Sequence, residues 1–227
     1  MKALIISSPT PYGRGGQIRA YRILEHLAKF GLEAFIVGEG IPLEIVDRLE
    51  VYGYKVLNVN CKAMRKWSEG CIAGMTMNAV RKLVKRCDYD IIVSQSEHPK
   101  YVLTAYIASK VAGLPWTAIV NSYLYINPLY KYDAMLSLTR FLRTLATLKA
   151  MNTTLVHLVS DVIRYELWKE GYELKNYEVL DVPVGIEHKL IDEVLKHEKT
   201  KIYDLAFMGF FTPEKGIYDL IPILYKL

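Results

Sequence analysis

The feature that most limits how this chain can fold is a set of short apolar runs, rich in Ile and Val, recurring along most of its length. They are Ala3–Ser7, Ala34–Val37, Lys55–Val59, Ile91–Ser94, Thr117–Asn121, Thr154–Val159 and Glu178–Asp181. Most lack the apolar/polar alternation of a half-wet strand, so they read as strands covered on both faces. Longer amphipathic stretches separate them. Residues 17–30 place Ile18, Tyr21, Leu24, Leu27 and Ala28 at helical spacing, and Gly31 supplies a left-handed stop. Pro42 and Pro99 stand where a first helical residue belongs, and Gly53 and Gly113 stand just past the ends. Ser160 can cap a helix that Gly171 closes. Strand–helix alternation of this kind predicts an α/β fold: a doubly wound, mostly parallel, Rossmann-like sheet with right-handed crossovers.

Composition narrows the partners. The 227 residues are 52% hydrophobic and 23% charged, enough for a sizeable core. A net charge of +5 suits an anionic ligand or surface but falls short of a nucleic-acid footprint, so no nucleic-acid partner is expected. Cys61, Cys71 and Cys87 are odd in number and widely spaced, which reads as reduced thiols with no disulfide and no zinc site. The opening "MKALIISSPTP" has too short an apolar run for a signal peptide, so a cytoplasmic protein is expected. Residues 101–130 carry Lys110 alone, yet "AGLPW" interrupts them; they read as a buried helix and then a buried strand, with no membrane span.

The end of the chain reads differently. Residues 1–186 form the Rossmann-like domain, 187–201 a junction helix and linker, and 202–227 restart a strand ("YDLAFMGF") and a helix ("TPEKGIYDLIPILYKL"). One strand and one helix cannot bury a core alone. They either dock on the first domain or open a second one.

The richest functional signal lies in residues 4–31, "LIISSPTPYGRGGQIRAYRILEHLAKFG". In a parallel sheet the loop after a strand's carboxyl end faces the binding crevice. Backbone N–H groups at Gly15, Gly16 and Gln17 would meet a ligand at a helix start, where the dipole favours an anion by roughly 0.3–1 kcal/mol when exposed. The dinucleotide fingerprint fails, because Gly13 and Gly15 fit but Ile18 holds its third position. The P-loop pattern fails as well, since no Gly-Lys-Ser/Thr follows. A glycine-rich connection with no ligand stays open at this point.

"SPTPYGRGGQIRAYRILEHLAKFGLEAFIV" resembles the start of retaining glycosyltransferases of the GT-B fold, specifically the large family-four group. "VPVGIEHKLID" is similar to that family's Pro-Asn-Gly-Ile/Val-Asp segment at the domain junction. "YDLAFMGFFTPEKGIYDLI" is similar to the strand, Gly-Arg and Pro-Glu-Lys-Gly segment that opens the donor domain. The resemblance implies the N-terminal half of a GT-B fold followed by the first strand and helix of a donor-binding domain. It implies that Gly15, Gly16, Gly209 and Lys215 meet the donor phosphates or sugar. Tyr12, Arg19, His98 and Asn121 would line the acceptor and sugar side. A lysine neutralising phosphates needs no metal, so neither metal nor cofactor is expected beyond the nucleotide-sugar substrate. Lys215 also reads plainly as a solvated lysine at a helix start.

Three departures bear on activity. Asn121 stands where the family often carries a histidine near the transferred sugar; it can hydrogen-bond a hydroxyl but cannot act as acid or base. Phe210 follows Gly209 where an arginine is common, and Val184 replaces the junction asparagine. The family's carboxylate pair would lie beyond Leu227, so no catalytic residue is named. The expected activity is hexosyl transfer, with retention, from a nucleotide sugar to a carbohydrate or lipid-linked acceptor, the 227-residue chain being incomplete alone. The alternative is a non-catalytic acceptor-binding or membrane-anchoring half that works with a separate donor-domain partner.

Other constellations read more plainly. Asp88-Tyr89-Asp90 precedes a strand and so lies at the amino end of the sheet; it reads as a solvated turn and not a metal-binding DxD. The five histidines show no metal-ligand spacing. His98, beside Glu97 after the fourth strand, reads either as a ligand contact or as a loop histidine before Pro99. Residues 62–86 carry Lys62, Arg65, Lys66, Arg81, Lys82, Lys85 and Arg86 against Glu69 alone, with Met64, Trp67, Met75 and Met77 among them. That pattern fits either an interfacial segment on the inner, anionic face of a membrane or a solvated helix face.

Overall fold

A computed structural model describes residues 1–9, 15–59, 68–85, 88–122 and 138–180, with isolated positions beyond. The chain divides into two compact units, Met1–Gly185 and Ile186–Leu227. The expectations for the junction helix, the strand and helix that follow it, and Tyr12, Gly209 and Lys215 lie outside the described residues.

The first unit runs β1 (Lys2–Ile6), α1 (Gly15–Ala28), β2 (Glu33–Glu39), α2 (Leu43–Val51), β3 (Lys55–Val59), α3 (Ser68–Lys85) and β4 (Ile91–Ser94). It continues through α4 (Pro99–Ala112), β5 (Trp116–Val120), α5 (Leu138–Met151), β6 (Leu155–Leu158), α6 (Asp161–Lys169) and β7 (Tyr177–Val179). Each of the seven Ile/Val-rich runs is a strand, and every pairing is parallel in the order β3-β2-β1-β4-β5-β6-β7. The order reverses between β1 and β4. That switch point is where an open parallel sheet forms its crevice.

Helix ends follow the punctuation read from the sequence. Pro99 occupies the first turn of α4, and Gly113 closes it at φ 67°, a left-handed geometry that costs glycine nothing. Ser160 accepts the Val162 N–H at the start of α6. Helix α1 ends at Ala28, earlier than Phe30, because Lys29, Phe30 and Gly31 turn their N–H groups to carbonyls three residues back.

Alternate residues of β1 and β2 feed two cores. Ala3, Ile5, Ala34 and Ile36 pack with Tyr21 and Leu24 of α1 and Ile45 and Leu49 of α2. Leu4, Ile6, Phe35 and Val37 pack with Met75 and Ala79 of α3 and Val102 and Ala105 of α4. Each fully buried aliphatic side chain contributes about 1.5–3 kcal/mol, which explains the continuous apolar runs in these two strands. Coverage of both faces does not extend to β5 and β6. Ile5, Val93, Thr117 and Leu155 share a face by register, and exposure grows outward to 45% at Leu155. Ile119 still borders α1, beside Ala20 and Ile23, whereas Leu155 on the next strand is exposed.

Candidate functional site

The site is built at the carboxyl edge of β1, β2, β4 and β5. After β1, Ser7 donates its N–H to the Val37 carbonyl at 3.0 Å. This draws β1 so close to β2 that a Cβ at Gly38 would lie 1.9 Å from the Ser7 carbonyl oxygen. Ser8 Oγ donates to the Glu39 carbonyl at 2.7 Å, and accepts from the Glu39 N–H at 2.9 Å and from the Tyr101 hydroxyl at 2.9 Å. The Lys100 ammonium, one residue earlier on α4, pairs with the Glu39 carboxylate. Burial pulls the Lys100 ammonium down to about 8 and pushes the Tyr101 phenol up to about 12.

Asn121 is the hub on the other side of the switch point. It follows β5 directly, so the strand fixes its backbone. Its backbone N–H donates to Glu97 Oε2 at 2.9 Å, and its Nδ2 donates to the same oxygen and to the Gln95 carbonyl, both at 3.4 Å. Arg19 Nη1, one turn into α1, donates to Asn121 Oδ1 at 3.2 Å. Burial lowers the Arg19 guanidinium from its ordinary value. Glu97 is 3% exposed, and burial pushes its carboxyl above the usual carboxylate range. Gln95, 4% exposed, has no partner for Oε1 among the described residues.

The sequence-predicted residues therefore meet in part. Gly15 and Gly16 are the first residues of α1, and Gly16, Arg19 and Asn121 line one shallow depression with Gln95. A Cβ at Gly16 would come 3.3 Å from Asn121 Nδ2, so it is Asn121 that uses the space a side chain would fill. His98 is the N-cap of α4: its Nδ1 accepts the Lys100 N–H at 3.4 Å and its ring stands edge-on to Tyr101 at 6.0 Å. Sequence reasoning missed Gln95, Lys100, Glu39 and Ser8 as members of this cluster, and gave Glu97 no role. For Ser8 and Gln95 the available signal was a polar residue just after a buried strand; Glu39 ends β2 itself, and Lys100 stands in the first turn of α4.

The remaining features lie elsewhere. Asp88 and Asp90 sit at the amino edge, where Lys2 engages both, its Nζ with Asp88 and its N–H with Asp90. A groove of about 460 Å³ bordered by Lys149, Asn152, Tyr172 and Lys175 is formed by the end of α5 and the turn after α6. Among the described residues, no group of three His, Cys, Asp or Glu side chains is arranged to hold a metal ion, and no helix is long and apolar enough to cross a membrane. In α3, Met75 is fully buried in the core and so offers no membrane contact, while Met77 is 55% exposed. Lys82 stacks over Phe35 at 4.7 Å. The basic positions from 62 to 67 and Arg86 lie outside the described residues.

No family model and no curated relative matches the chain. Solved structures do. HepE of Anabaena, in complex with UDP and glucose, matches with a TM-score of 0.55 at 19% identity over 79% of this chain and 44% of HepE. Apo UGT2 of Phytolacca americana matches with a TM-score of 0.55 at 9% identity, over 87% of this chain and 55% of its own. UGT89C1 of Arabidopsis thaliana, complexed with UDP, matches with a TM-score of 0.53 at 10% identity, over 86% and 56%. The fold is that of the N-terminal half of a GT-B glycosyltransferase. The chain spans about half the length of these GT-B proteins, and the likeness is one of architecture.

Proposed function

We propose that this chain is the acceptor-side half of a glycosyltransferase that moves a sugar from a nucleotide-sugar donor to a carbohydrate or lipid-linked acceptor. One observation carries the reading: a glycine-opened helix, Arg19 and Asn121 converge at the switch point of a GT-B-type sheet. The start of α1 and the Arg19 guanidinium favour negative charge, as a departing nucleoside diphosphate requires. Asn121 supplies a neutral carboxamide for a sugar or acceptor hydroxyl. The bound UDP of the structural neighbours supports a nucleotide-sugar donor.

The finer reading rests on the sequence resemblance. Family-four membership implies retention of anomeric configuration, with Gly209 and Lys215 on the donor phosphates and no metal or other cofactor. Peripheral docking on an anionic membrane through residues 62–86 belongs to the same proposal, with Arg81 and the exposed Met77 on its described part. Liposome co-sedimentation at physiological salt tests it: binding to anionic vesicles is expected, and its absence sinks the docking.

The activity test is release of nucleoside diphosphate from a panel of nucleotide sugars by the chain joined to a donor-binding domain, comparing wild type with Asn121→Ala. Release that depends on Asn121 is expected there, and none from the 227 residues alone. Nucleotide-sugar binding without turnover would favour the non-catalytic half, and equal release by both proteins would remove the crevice from the account.

A further inference from the structure

Glu97 is a deeply buried carboxyl at the carboxyl edge. It lies in the loop between β4 and α4, is 3% exposed, and has no cation as a direct partner among the described residues. Its contacts are the Asn121 backbone N–H and Nδ2 from the end of β5, and Ser96 and its own backbone N–H from the same loop. Arg19 of α1 reaches it only through Asn121, and His98, next in the chain, commits Nδ1 to the α4 cap. A carboxylate buried without a cation destabilises a fold, and such groups mark functional positions.

We infer that Glu97 is the positioning residue of this site: with Arg19 it grips Asn121 from opposite ends, so that Asn121 offers a ligand its carboxamide oxygen, as an acceptor of a hydroxyl hydrogen bond. The two ends of a carboxamide are nearly alike in shape, and only their partners decide which way it lies. A guanidinium has hydrogens alone to give, so Arg19 selects Oδ1. A carboxylate can only accept, so Glu97 selects Nδ2. The Gln95 carbonyl takes the second Nδ2 hydrogen, while Oδ1 keeps one lone pair beyond its bond to Arg19. The absent Cβ at Gly16 leaves the room for this arrangement. The chemistry selected is a ligand hydroxyl that donates, which deepens the sugar-transfer reading and rests on it.

Burial opposes ionisation of Glu97, and the sign of its effect on stability follows. A carboxyl whose folded pKa lies above its unfolded value stabilises most below the unfolded pKa, and that stability is lost as pH rises through the folded pKa. Above its folded pKa the ionised group is a cost, so there the neutral isostere Glu97→Gln is expected to melt no lower than wild type.

The test has two arms. In the first, the Asn121 side-chain amide is followed by ¹⁵N NMR as pH is raised across the full range in which wild type stays folded, beside Glu97→Gln. It should shift as Glu97 protonates and stay still in the variant; an amide that does not move in wild type overturns the inference. In the second, Glu97→Gln, whose own amide can pair with either end of Asn121, should lower kcat/KM for nucleotide-sugar turnover by the chain joined to a donor-binding domain on the order of ten- to a hundredfold with melting no lower. A wild-type rate, or a loss of rate that merely follows a loss of fold, overturns it. If wild type joined to a donor-binding domain turns over no nucleotide sugar, the sugar-transfer reading fails and the first arm alone decides the positioning role.

Discussion

The two edges of the sheet carry similar charged residues and use them in opposite ways. At the amino edge, Lys2 pairs with Asp88 at 2.8 Å and with Glu33 at 3.7 Å, with all three side chains substantially exposed. Such pairs are screened by water and salt and contribute little. At the carboxyl edge Glu97 is buried and Glu39, Lys100 and Asn121 are partly buried, and burial moves two of the four away from their ordinary ionisation. The lesson concerns location. A parallel sheet leaves helix starts at one edge only, and the polar residues placed at a cost to stability stand at that edge.

Substitutions at the two edges sharpen this contrast. The largest effect is expected at Gly38→Ala, where the new Cβ would meet the backbone carbonyl of Ser7 at 1.9 Å. Two strands must separate, and a loss of roughly 3 kcal/mol or more should appear as failure to fold or a much lower Tm. In the chain joined to a donor-binding domain, Asn121→Ala should reduce turnover by on the order of 10²-fold while leaving a folded protein, measured by steady-state kinetics beside melting. Gly16→Ala pushes on Asn121 Nδ2 at 3.3 Å and should cost about tenfold in rate. The same change restores helix propensity worth roughly 0.5–1 kcal/mol, so melting should hold or rise as activity falls. A parallel fall of both would mean that Gly16 serves the fold alone.

The pH response separates the edges further. Lys100 has a folded pKa of about 8 against an ordinary 10.5, so its stabilising contribution is present above 10.5 and lost as pH falls through 8. Wild type should therefore gain stability relative to Lys100→Gln as pH rises from 8 towards 10.5. Denaturation at a series of pH values checks this, and parallel curves would contradict it. The smallest effect belongs to Lys2→Ala, which should leave Tm unresolved from wild type at physiological salt. A clear drop there would break the contrast between the edges.

Much of the fold is legible in the sequence for a simple reason. Strands covered on both faces must be apolar throughout, and the Pro and Gly residues at the helix boundaries have few other places to stand. The partly exposed face of β5 and β6 was harder to foresee, because "WTAIV" and "LVHL" are nearly as apolar as β1, and exposure depends on what packs over them. At the site, Gly16, Arg19, His98 and Asn121 could be placed from their positions after strands or in the first helix. The grip of Glu97 on Asn121 could not, since the two are 24 residues apart and meet only when β4 and β5 pair. Gly38 was silent for the same reason: its constraint is a carbonyl from a neighbouring strand.

The central claim is that the carboxyl edge of β1, β4 and β5 receives the nucleotide sugar. Amide shift mapping of the ¹⁵N-labelled chain with UDP-glucose as the probe tests it most directly. The account predicts perturbations centred on Gly16, Arg19 and Asn121, saturating together. Perturbations confined to the groove at Asn152 and Lys175, or to Lys2 and Asp88 at the opposite edge, would contradict it.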